Sequence, residues 1–153
     1  MKFNKGDKIP EFKLRDHNEE EVSLDEFEGN NILLSFHPLA WTSVCRNQMQ
    51  ALEDNFDKLE RNNTVPLGIS VDPVPSKSAW AEDMELKNLR LVSDFWPHGE
   101  FATKLGIFIK EKGISGRVNI LVNSEGEVLW AKEYDIPELP DIDEVLEVVA
   151  NNA

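Results

Sequence analysis

The chain has one cysteine, Cys45, at the end of Ser35-Phe36-His37-Pro38-Leu39-Ala40-Trp41-Thr42-Ser43-Val44-Cys45. A thiol is a weak nucleophile until it ionises, and its ordinary pKa of about 8.5 leaves only a few per cent thiolate at pH 7. A first helical turn favours the anion through its free N–H groups and the positive end of its dipole. That preference is worth ~0.3–1 kcal/mol when exposed and up to ~2 kcal/mol when partly buried. A nearby cation adds to it. The chemistry open to such a sulfur is nucleophilic attack and oxidation. The alternative is a small buried hydrophobe, because Cys45 shares a helical face with Met49 and Leu52. Thr42, three residues earlier, can place a hydroxyl at the helix mouth or act as its N-cap. Pro38 can close the strand end or serve only as a turn residue.

These roles require a buried strand, a short loop and a helix in that order. Asn31–Phe36 is an apolar run suited to a central strand. Cys45, Met49, Leu52, Phe56 and Leu59 recur at steps of 4, 3, 4 and 3 and predict one helix over 44–61. Before them, 11–14 and 21–24 alternate around a polar turn and predict an N-terminal hairpin. Ser23 and Glu26 have the spacing of a capping box. After the helix, 64–71 reads as a strand, with Pro73 and Pro75 breaking the chain. Then follow a helix over 76–86, a strand over 89–92 and a short helix over 98–105. Strands 118–122 and Val128–Tyr134 flank a polar turn containing Gly126 and predict a closing hairpin. A last helix is capped by Asp141, with Glu144 three residues on and Val145, Leu146, Val148 and Val149 as its apolar face. Strands alternating with helices demand crossovers and a parallel portion of sheet. The expected fold is α/β and thioredoxin-like, a central mixed β-sheet flanked by helices with an N-terminal β-hairpin extension. One domain over 1–153 is expected from the length.

Composition narrows the function classes. Acidic residues number 29 and basic residues 16, so the net charge is −13. An acidic surface of that size repels phosphate backbones and anionic membranes, so neither nucleic acid nor membrane is an expected partner. The N-terminus shows no apolar leader, and a cytoplasmic protein is expected. A single cysteine excludes an intrachain disulfide and a cysteine-rich zinc site, and His17, His37 and His98 lack metal-ligand spacing. No cofactor is expected. Cys45-Arg46-Asn47-Gln48 is not a Cys-x-x-Cys pair, which removes a disulfide oxidoreductase. Pairing Cys45 with His37 or His98 as a hydrolase matches no local signature.

Pro38-x-x-x-Thr42-x-x-Cys45 resembles the active-site pattern of the peroxiredoxin (AhpC/TSA) family, and Pro38-Leu39-Ala40-Trp41-Thr42 resembles one of its forms. Ser93-Asp94-Phe95-Trp96-Pro97-His98-Gly99 is similar to a loop of its one-cysteine branch, that of alkyl hydroperoxide reductase E. The resemblance spans about residues 3–150. It implies that the family's catalytic arginine falls on Arg117, in Gly116-Arg117-Val118-Asn119-Ile120; without it, the favoured reading of Arg117 is a solvated strand-end charge. Arg46 competes by sequence proximity, but neighbours at i and i+1 do not share a helix face.

The resemblance implies a thiol-dependent peroxidase in which Cys45 attacks a hydroperoxide and becomes a sulfenic acid. It implies that Thr42 hydrogen-bonds the peroxide and sulfur, that backbone N–H groups of Val44 and Cys45 stabilise the leaving oxygen, and that Arg117 holds the thiolate and orients the peroxide. Pro38 would keep water from the sulfur. With no resolving cysteine, the reductant must be an external thiol: a thioredoxin, a glutaredoxin-like protein or a low-molecular-weight thiol. A homodimer is implied as well, with Trp96 and His98 in its contact loop, although Trp96 also reads as a core anchor. His37 reads as a partly buried, hydrogen-bonded histidine or as a group lining the pocket. Gln48 adds no negative charge beside the thiolate. A redox sensor passing the same oxidation to a partner protein remains the alternative.

Overall fold

The computed structural model describes residues 3–153. Seven strands form one sheet: β1 (Leu14–Asp16), β2 (Glu21–Val22), β3 (Asn31–Phe36), β4 (Thr64–Ser70), β5 (Arg90–Ser93), β8 (Arg117–Val122) and β9 (Val128–Tyr134). Their spatial order is β2-β1-β5-β4-β3-β8-β9. β3, β4 and β5 run parallel, and β1, β8 and β9 pair antiparallel to their neighbours. Two further strands, β6 (Phe108–Ile109) and β7 (Ile114–Ser115), make a separate ribbon. The helices are α1 (Ser43–Asp54), α2 (Phe56–Arg61), α3 (Val74–Asp83), α4 (Glu100–Lys104) and α5 (Ile142–Asn151). This is the mixed, thioredoxin-like α/β architecture expected.

Successive strand residues point to opposite faces, and the core divides accordingly. Ile32, Leu34 and Phe36 join Val118, Ile120 and Phe101 of α4 on one side. Leu33 and Leu121 join Cys45, Met49, Leu59, Trp80 and Val145 of the other helices on the second side. Arg117 has the same parity as Leu121 along β8, so its side chain rises on the face that carries α1. The register of β3 with β8, Ser35 opposite Asn119 and Phe36 opposite Val118, brings Arg117 to the C-terminal end of β3, where α1 begins. Gly68 in β4 sets the depth of α1. A Cβ there would lie 2.3 Å from the Met49 sulfur and 3.0 Å from Leu91 Cδ2, so any larger residue would force the buried Met49 side chain to repack.

Local details depart from the sequence reading. The long helix breaks at Asn55, whose side-chain amide donates to the Ala51 carbonyl at 2.8 Å. Such local side-chain bonds compete with helical continuation. α3 starts earlier than expected and accommodates Pro75 in its first turn, where a missing N–H costs no helical bond. The N-terminal hairpin is shorter and shifted, pairing Leu14 with Val22 and Arg15 with Glu21. Neither capping box closes in full. Ser23 makes no side-chain cap bond, and Glu26 instead pairs with Arg90. Asp141 caps through the Asp143 N–H, while Glu144 binds Lys132 at 2.8 Å.

Candidate active site

The loop between β3 and α1 is fixed from both ends. The His37 N–H donates to the Ile69 carbonyl at 3.0 Å, extending the pairing with β4 by one bond. The Ala40 N–H donates to Asp72 Oδ2 at 2.8 Å, and the same oxygen accepts from Ser70 Oγ at 2.6 Å. Trp41 sits in the left-handed region at φ +69°, a conformation that costs a non-glycine residue energy and persists only where its surroundings hold it. Its indole N–H donates to Ser76 Oγ at 3.1 Å. Thr42 is the N-cap, but its hydroxyl donates to the Leu39 carbonyl at 2.8 Å instead of accepting from the helix. Both hydroxyl lone pairs therefore stay free as acceptors. The first intrahelical bond runs from the Arg46 N–H to the Thr42 carbonyl at 2.9 Å. The amides of Ser43, Val44 and Cys45 precede that bond and are unused by the helix.

Cys45 is buried, with 1% of its surface exposed, and Arg117 with 2%. Arg117 Nη1 lies 3.3 Å from the sulfur and donates also to Gln48 Oε1 at 2.8 Å. Its Nε and Nη2 both donate to the Ile136 carbonyl, at 2.9 and 2.6 Å. Gln48 Nε2 donates in turn to Ser35 Oγ at 2.7 Å and to the Phe36 carbonyl at 3.3 Å. Three structural elements thus aim one guanidinium at one sulfur. Among the described residues no carboxylate pairs with Arg117. A buried cation without an anion is costly, and the Cys45 thiolate is the counter-ion within reach.

A second buried cation lies behind the loop. Lys77 Nζ is 3.3 Å from His37 Nε2, and both side chains are fully buried. Burial pushes Lys77 down to about 7, against the opposing pull of Asp72 and Cys45. Burial and then the charge of Lys77 hold His37 well below its ordinary value, so the imidazole is neutral.

The residues singled out in the sequence converge only in part. Cys45 and Arg117 touch. Pro38 is buried in the loop, Val44 half-buried in the first turn of α1, and Thr42 is the exposed side chain at the rim. Arg46 turns outward to Asp83 at 2.7 Å. Trp96 is 79% exposed and so is no core anchor, and its neighbour His98 meets the Gly113 carbonyl at 2.7 Å. The tie of Gln48 to Arg117, the Ile136 carbonyl and Lys77 were not foreseen. Gln48 carried a signal, lying one helical turn from Cys45 and on its face. The other two carried none.

Residues 5–131 match the AhpC/TSA family. Alkyl hydroperoxide reductase E of Mycobacterium bovis is 35% identical over 140 residues, covering 91% of each chain. Peroxiredoxin Bcp of Escherichia coli is 34% identical over 130 residues, covering 80% of this chain and 81% of its own. Among solved structures, reduced Plasmodium vivax 2-Cys peroxiredoxin superposes with a TM-score of 0.84 at 25% identity, covering 94% of this chain and 79% of its own.

Proposed function

The chain belongs to the AhpC/TSA family and is a thiol-dependent peroxidase, and from that premise we propose that Cys45 is the sulfur that attacks the hydroperoxide. The observation that carries this assignment is the buried guanidinium of Arg117, 3.3 Å from the sulfur and with no carboxylate partner. The thiolate attacks one peroxide oxygen, so an S–O bond forms as the O–O bond breaks. The other oxygen leaves as hydroxide or alkoxide and takes up a proton, giving water or alcohol and Cys45 sulfenic acid. Thr42 accepts the proton side of the hydroperoxide with a free lone pair. Arg117 orients the peroxide, and the unused amides of Val44 and Cys45 stabilise charge developing on the leaving oxygen. Pro38 shields the sulfur from water.

The reductant is an external thiol, because the sequence holds no second cysteine. One thiol condenses with the sulfenic acid, releasing water and forming a mixed disulfide. A second thiol restores Cys45 and leaves as the oxidised disulfide. A thioredoxin, a glutaredoxin-like protein or a small thiol meets this need. Such reductants belong to reducing compartments, which supports a cytoplasmic location. Stopped-flow mixing of reduced protein with hydrogen peroxide or an alkyl hydroperoxide tests the assignment. A tryptophan signal is expected, because Trp80 and Trp41 pack beside the loop. Many turnovers per sulfur in excess thiol are expected of a peroxidase; a single oxidation that no thiol reverses would favour the sensor.

A homodimer completes the reading. Leu39, Trp41, Phe95 and Trp96 are large apolar side chains left exposed around the loop and the segment after β5. Exposed apolar surface of this kind marks interfaces. Sedimentation of the wild type should give a dimer, and Trp96→Glu a monomer; a monomeric wild type at micromolar concentration would overturn the dimer without touching the chemistry.

A further inference from the structure

The chemistry above leaves the buried pair of Lys77 and His37 unused. α3 turns Lys77, Trp80 and Ala81 inward, as positions i, i+3 and i+4 on one helix face must. His37 is the residue between β3 and Pro38, so an ammonium 3.3 Å from its Nε2 lies directly behind the active-site loop. Trp80 covers the pair, its ring 5.5 Å from His37 and 6.5 Å from Trp41. A lysine with 0% exposure needs both an acceptor and a counter-charge. The neutral imidazole supplies the acceptor: Nε2 turns its lone pair to Nζ, which places the ring proton on Nδ1.

The counter-charge comes from two groups. Asp72, in the turn after β4, and Cys45, on α1, are the acidic groups whose charge reaches Lys77. Asp72 Oδ2 already serves Ser70 and Ala40. The other groups on this side are His17, in the turn between β1 and β2, which burial and the Lys77 charge hold below its ordinary value, and the cation Arg117 on β8, which acts on His37.

We propose that Lys77 is a positioning residue for peroxide reduction: its ammonium, seated on His37 behind the loop, is a second positive charge that favours the Cys45 thiolate alongside Arg117. The proposal rests on Cys45 being the reactive sulfur. It has a pH signature. Lys77 discharges near pH 7, so its help to the sulfur is greatest below neutrality and fades above it.

Lys77→Met tests this, since methionine matches the lysine stem and removes the charge. The thiolate absorbance should titrate at higher pH than in the wild type. Oxidation by hydrogen peroxide should fall about tenfold at pH 6, the thiolate lost to a one-unit displacement, and agree with the wild type within about twofold at pH 9. An equal loss at both pH values, or coincident titrations, would overturn the proposal. A second measurement leaves Lys77 in place. Linkage is reciprocal, so the thiolate must hold the proton on Lys77. In protein carrying ¹⁵N at lysine Nζ, the Lys77 ammonium should persist to higher pH in the wild type than in Cys45→Ser; identical midpoints would overturn the proposal. These titrations use no peroxide. If they fail while Cys45→Ser is inactive, Lys77 alone is removed; a Cys45→Ser variant that still turns over removes the reading beneath it.

Discussion

Cys45→Ser is expected to yield a folded protein that no longer consumes hydroperoxide. A serine hydroxyl stays protonated at any physiological pH, and no neighbouring base is placed to activate it. The loss should be about three orders of magnitude or more, down to the uncatalysed rate, because no other nucleophile faces Arg117. The fold has little reason to suffer. Serine differs from cysteine only by the smaller oxygen in place of sulfur, and that oxygen can accept the hydrogen bond that the sulfur receives from Arg117 Nη1. A stability change within about 1–2 kcal/mol is expected by chemical denaturation. Peroxide consumption by the variant at the wild-type rate would remove Cys45 from the chemistry.

Arg117→Ala should have the next largest effect, on activity and stability together. The guanidinium makes four short contacts to neutral acceptors and to the sulfur. Removing it strands the buried Gln48 Oε1, at a cost of about 1–3 kcal/mol, and takes both donors from the half-buried Ile136 carbonyl. It also removes a charge in contact with the thiolate. Oxidation by peroxide at pH 7 should slow by about 10²–10³-fold, the usual effect of deleting one preorganised donor. Part of the loss should return at high pH, where the sulfur ionises unaided. Arg117→Lys separates the two contributions, since it keeps a charge but not the fork that spans Gln48 and Ile136. An intermediate rate is expected for it. Rates equal to the wild type from pH 5 to 9 in Arg117→Ala would exclude the guanidinium from the reaction.

Elements carried by an uninterrupted apolar pattern were legible from the residues alone. β3 and β9 fall where their runs of side chains place them, and α1 begins within a residue of its expected start. The break at Asn55 was hidden because Phe56 and Leu59 keep the helical spacing across it, even though Phe56 ends only half-buried. The capping boxes failed for a tertiary reason. Glu26 and Glu144 have the right spacing, but Arg90 of the distant β5 and Lys132 of the preceding β9 compete for them. β6 and β7 have two residues each, too few to show a period. At the site, the order of Pro38, Thr42 and Cys45 was plain along one segment. The meeting of Cys45 with Arg117 was implied only by resemblance, because it depends on the register of two strands far apart in the chain, Phe36 opposite Val118. Lys77 was invisible for another reason: a lysine among Ser76, Ser78 and Glu82 reads as a surface residue, and only the packing of Trp80 reveals that it is enclosed.

The bond from Arg117 to Ile136 runs to a backbone carbonyl, just past the end of β9. Every amino acid carries that oxygen, so the anchor is indifferent to the identity of the residue at 136. It depends instead on spacing: one residue inserted or deleted between Tyr134 and Ile136 would rotate the carbonyl away, whereas substitutions at 136 could accumulate silently.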